Sequence, residues 1–164
     1  MFARCLSAMN ALGTVWIFAL MVLINSDIVG RELFATPVRG TTELIALSIV
    51  GIVFLQLGHT LLTGRMTRSD MFIDTLLLKK PRAGRLLQGI FHLAGAVLLA
   101  LIFWGSISLF QDAIEIGEYV GAIGDFTAPT WPVRLLILIG SAATGLQYVV
   151  LTARDFHFVL TGKP

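Results

Sequence analysis

The sequence predicts an all-α membrane protein of four transmembrane helices, with a short interfacial helix in the cytoplasmic loop between the second and third. Three observations predict it. Charge is scarce, the charge-free stretches are as long as a bilayer is thick, and the basic residues fall unevenly on the two sides those stretches define.

Of 164 residues, 56% are hydrophobic and 13% charged, and the mean hydropathy is +0.85. A soluble domain carries about a quarter of its residues charged, so charge is depleted roughly twofold. No charge falls between Arg4 and Asp27, between Glu43 and Arg65, between Arg85 and Asp112, or between Arg134 and Arg154. Each gap is close to the roughly 20 residues that carry a helix across about 30 Å of hydrocarbon. A membrane barrel would show short segments alternating apolar and polar residues. Trp16 to Ile24 and Leu44 to Leu55 are instead apolar at most successive positions, which argues for helix. Helices over about 6–29, 42–62, 85–111 and 132–153 leave little chain for anything else, so residues 1–164 read as one four-helix membrane domain.

Four spans put both termini on one side. That side and the second loop hold nine Lys and Arg, including Arg4, Arg65, Arg68, Lys79, Lys80, Arg82, Arg85 and Arg154. The opposite side holds three, Arg31, Arg39 and Arg134. Short basic loops stay cytoplasmic, which places both termini inside the cell. The net charge of +2 therefore reflects topology and contact with anionic membrane lipid, not nucleic acid.

The first helix begins like a signal peptide, but its apolar run is too long and no small-residue cleavage site follows, so it reads as an uncleaved anchor. Cys5 is the single cysteine: a small apolar residue at the interface or a lipidation site. Asp27 and Arg31 stand four apart, acid first, the favourable order for a helical ion pair; a partner chain is the other candidate to meet them. Pro37 and Gly40 mark a turn, Thr41 or Thr42 suits an N-cap, and Glu43 complements the positive end of the second helix. Gly51 and Gly58 share one face of that helix, and Gln56 and His59 add polar groups near its inner end. Met71, Phe72, Leu76 and Leu77, with Asp74, Lys79 and Lys80, suit a helix lying on the membrane surface that Pro81 ends. The third helix carries His92, with Ala96 and Ala100 at the spacing that lets helices approach closely. The fourth opens at Trp131-Pro132, an interfacial aromatic and a first-turn proline, and carries Ser141 and Gly145 at the same close-packing spacing. The small-residue faces of the second and fourth helices either meet a partner or pack the bundle internally. Glu115, Glu118 and Asp125, with Asp112, make the third loop acidic: a solvated loop or a docking surface.

Chemical motifs are missing. There is no phosphate loop, no metal-ligand pattern and no nucleophile with a base at usable spacing, so the chain reads as no enzyme and no cofactor carrier. His59 and His92 on neighbouring helices leave open a haem or quinone anchor of a respiratory enzyme. A small proton-coupled exporter is the other alternative, but it needs a membrane-embedded carboxylate, and only Asp27, at a helix end, comes near. No internal repeat of the kind that builds transporter cores is visible.

Four stretches together carry a family resemblance. They are Asp27-Ile28-Val29-Gly30-Arg31-Glu32-Leu33-Phe34 followed by Pro37; Gly40-Thr41-Thr42-Glu43-Leu44; Arg65-Met66-Thr67-Arg68-Ser69-Asp70; and Ala128-Pro129-Thr130-Trp131 followed by Gly140. In order and spacing, from about Asn25 to Gly145, the chain resembles the small membrane subunit (DctQ-like) of tripartite ATP-independent periplasmic (TRAP) transporters. Arg68 and Asp70 align with the family's Arg-x-Asp stretch, while Met66 replaces a common histidine and Gly30 to Glu32 lack the usual Arg-Tyr pair. The resemblance implies a bacterial inner-membrane subunit with two partners: a large permease subunit that holds the substrate and cation sites, and a periplasmic substrate-binding protein. It implies uptake of organic acids driven by a cation gradient, with this chain as scaffold and without a transport site of its own.

Overall fold

The computed structural model describes residues 2–64 and 81–161. The interfacial helix expected in the second loop, and with it Arg68 and Asp70, lies outside the described residues. Four long helices make up most of the rest: α1 (Phe2–Phe34), α2 (Thr41–Leu62), α3 (Pro81–Glu115) and α4 (Trp131–Thr161). All four are long and apolar enough to cross a membrane. Between α3 and α4 lies an antiparallel hairpin of β1 (Tyr119–Ala122) and β2 (Phe126–Pro129), with Tyr119 opposite Pro129 and Ala122 opposite Phe126.

The helices run past the limits expected from the charge gaps. At 1.5 Å per residue, the 35 residues of α3 reach about 52 Å, well beyond about 30 Å of hydrocarbon. The charge pattern marks where a helix leaves the apolar layer, not where the helix stops. Pro81 opens α3, ahead of the start expected near Arg85, and its missing N–H costs nothing there. Gly40, at φ 76°, and neither threonine, is the N-cap of α2. Thr41 turns its hydroxyl back to the Val38 carbonyl at 2.9 Å, so its side chain serves the connector and not the helix amides.

The acidic third loop is not an open loop. Gly117, at φ 66°, ends α3, and the Glu118 N–H donates to the Ala113 carbonyl at 3.1 Å, the bond that closes a helix terminus on a left-handed glycine. Tyr119 and Val120 on one side, and Phe126 and Thr127 on the other, supply the strand-forming residues, with Gly124 at φ 94° in the turn.

The helices pack side by side in the order α1, α2, α4, α3. Glycines allow the close approaches. A Cβ on Gly140 of α4 would run into the backbone carbonyl of Phe54 on α2. One on Gly58 would meet Leu6 of α1 at 2.7 Å and Thr144 of α4 at 3.2 Å. Gly51 faces Trp16 and Leu136, and Gly145 faces Leu99. The small-residue faces of α2 and α4 therefore pack the bundle internally. Leu6, Met9 and Leu55 form the core where α1 meets α2, and Trp16 Nε1 donates to Ser48 Oγ at 3.1 Å across the same seam. The flanking helices stay bare: the apolar windows of α1 and α3 are each 11% buried, against 33% in α2 and 28% in α4.

Candidate functional site

Polar chemistry gathers at the two ends of the helix row. At the hairpin end, Asp27 is buried although charged, because its carboxylate is fully used. Its Oδ2 accepts from Arg31 Nη2 at 2.7 Å, one helical turn on, and its Oδ1 accepts from the Val38 N–H at 2.8 Å. The side chain thus pins the Thr36–Gly40 connector onto the last turns of α1. Arg39 of that connector pairs with Asp125 of the hairpin turn at 3.3 Å, both side chains exposed. Gly40 presses on the Phe126 ring so closely that a Cβ has no room. At the base of the hairpin, Glu118 pairs with Arg134 of α4 and accepts from the Thr130 hydroxyl at 3.2 Å. Arg134 also donates to the Leu109 carbonyl of α3. The connector, the hairpin and the adjoining turns of α3 and α4 form one latched cap.

Of the residues singled out from sequence, Asp27, Arg31, Glu118 and Asp125 belong to this cap. Trp131 opens α4 half-exposed, and Glu43 stands in the first turn of α2. Glu115 ends α3, exposed, and neither it nor Asp112 forms an ion pair among the described residues. The acidic cluster is therefore half-neutralised from within the chain.

The other end holds a group that the sequence reading passed over. Asp155 on α4 is 4% exposed, and α4 runs on past it to Thr161. Arg85 Nη1 of α3 donates to its Oδ1 at 3.1 Å, and His92 Nδ1, also on α3, lies 2.6 Å from its Oδ2. Because a carboxylate only accepts, that ring nitrogen carries its proton and donates. Arg85 also lies over the Phe158 ring at 5.3 Å. Helical spacing was the available signal: Arg85 and His92 are seven apart on one face of α3. Ser141, Thr144, Tyr148, Thr152 and Asp155 make a polar stripe on α4. The charge gap places the end of this helix near 153, so Asp155 falls outside it.

The histidines do not face each other. His59 of α2 meets Ser7 of α1 at 3.4 Å, whereas His92 turns to α4. Among the described residues, no three His, Cys, Asp or Glu side chains come together as metal ligands. Cys5 is exposed.

The fold and the two ion-paired ends define a multi-pass membrane protein whose embedded charges are matched within the chain. Residues 20–158 match the family model of tripartite ATP-independent periplasmic transporters, DctQ component, and the chain belongs to that family. It is the small membrane subunit of a TRAP system, a transporter component whose partner is the large permease subunit. No curated protein and no solved structure matches the chain.

Proposed function

We propose that this subunit is the fixed scaffold of a cation-driven transporter for organic acids in the bacterial inner membrane, and not an enzyme. It braces a large permease that carries substrate and cation. One observation carries this reading: the helices spend their small-residue faces on one another, while α1 and α3 keep long apolar flanks unburied. A rigid internal seam with free lateral faces suits a part that stays still beside a moving neighbour. Asp27 and Asp155, the buried carboxylates among the described residues, are each held by an arginine and a further donor, which supports a structural role for them rather than ion carriage.

Both termini and the Arg85–Asp155 end face the cytoplasm on this reading, supported by the nine-to-three bias of Lys and Arg. The latched cap then faces the periplasm, where a substrate-binding protein delivers its cargo. Of the third loop's acids, Asp112 and Glu115 have charge left to offer it, because Glu118 and Asp125 are paired within the chain.

The test is co-expression with the permease encoded beside this chain, a tag on this chain alone, and purification in mild detergent. Stoichiometric recovery of the permease is expected. Recovery of this chain alone, with folded permease present in the same membranes, would refute the scaffold reading.

A further inference from the structure

Beside the Arg85–Asp155–His92 group lies an open cleft of about 830 Å³, between the end of α2, the start of α3 and the end of α4. Its chemistry is divided. Leu61, Val150 and Leu151 line it with apolar surface, while Arg85 and Arg154 line it with charge. Among the described residues, Asp155 is the one carboxylate lining the cleft, so its two arginines leave a net single positive charge with the histidines neutral. Arg154 is exposed and forms no ion pair among the described residues, and Arg85 spends one contact on Asp155 with 43% of its side chain still accessible.

We propose that this cleft seats the headgroup of an anionic glycerophospholipid. The phosphodiester lies between Arg85 and Arg154, and the acyl chains run toward the bilayer centre along Leu61, Val150 and Leu151. Basic pockets between transmembrane helices are the recurring form of such sites. A zwitterionic lipid brings no net charge to answer the excess positive charge, so the site distinguishes it from phosphatidylglycerol. The cleft's place at the cytoplasmic leaflet rests on the proposed orientation; the chemistry of the site does not.

The full chain, purified in detergent without the permease, is titrated with phosphatidylglycerol and with phosphatidylethanolamine, and adducts are counted by native mass spectrometry. Phosphatidylglycerol should bind in preference to phosphatidylethanolamine. One arginine near an anionic headgroup accounts for about fivefold in affinity, so Arg154→Gln should lower phosphatidylglycerol binding about fivefold and Arg154→Lys should restore it. Equal binding of phosphatidylglycerol and phosphatidylethanolamine, or adducts unmoved by Arg154→Gln, would overturn the site. Displacement by millimolar inorganic phosphate would overturn the lipid as the source of the anion. Arg154 is exposed, so its variants keep the fold, which a thermal melt of the same samples checks. Failure of the permease to co-purify would leave this titration untouched.

Discussion

Replacing Asp155 by alanine should be among the costliest single changes at the α3–α4 seam, and the structure gives its size. Two bonds are lost. The bond from Arg85 is to a side chain that is 43% exposed, so the arginine returns to water and its share is discounted to at most about 1 kcal/mol. The bond from His92 is different, because both side chains are 5% exposed and the contact is 2.6 Å. A buried hydrogen bond to a charged group contributes about 1.5–3 kcal/mol. Asp155→Ala should therefore cost about 2–4 kcal/mol. Asp155→Asn, which retains an acceptor for Arg85 and can donate to the other tautomer of His92, should cost about 1 kcal/mol. The assay is reversible unfolding in mixed micelles at rising dodecyl sulfate, followed by far-ultraviolet circular dichroism. Double-mutant cycles divide the loss: coupling of Asp155 to His92 should exceed its coupling to Arg85. A cost below about 0.5 kcal/mol for the alanine variant, or a larger coupling to Arg85, would refute this account of what holds the carboxylate in place.

Gly140→Ala should force α2 and α4 apart, because the new methyl meets the Phe54 carbonyl, and overpacking of this kind costs about 1–3 kcal/mol; a lowered melting temperature in detergent checks it. Ser48→Ala removes the acceptor of the Trp16 Nε1–H with little change of volume, and should cost about 0.6 kcal/mol, the mean for a hydrogen bond between membrane helices, in the same micelle titration. Gly40→Val should detach the hairpin from the connector, since φ 76° and the Phe126 ring both exclude a side chain; faster proteolysis between Gly117 and Pro129 reports it. Asp112→Asn with Glu115→Gln should weaken capture of the substrate-binding protein while permease association is retained, measured by pull-down of each partner; unchanged capture would remove these two acids from the docking surface.

What the sequence made legible was set by the solvent. The four spans follow from charge gaps because hydrocarbon excludes charge, and the membrane helices lie where those gaps predict. Past the hydrocarbon that constraint lapses, so the outer turns of α1, α3 and α4 went unread, and with them Asp155. The hairpin was closer to hand: Gly117, Gly121 and Gly124 among Tyr119, Val120, Phe126 and Thr127 make a strand-turn-strand pattern. The acidic residues drew attention first and suggested an open loop. Asp27 with Arg31 was readable from spacing alone. The Val38 N–H that completes the Asp27 carboxylate was not, because it comes from a turn whose path depends on where Gly40 meets the hairpin.

The order of helix contacts bears on perimeter. α1 packs on α2, α2 on α4 and α4 on α3, so α1 and α3 each have one main neighbour. In a closed square of four, every helix would have two. A chain of contacts open at both ends gives up less of its outline to itself, and each end helix offers a wide arc to lipid or to a larger body. Lipid that wets a helix is dragged along when the helix turns, so more outline means more friction. The packing order thus gives a small protein a disproportionate hold on the surrounding membrane.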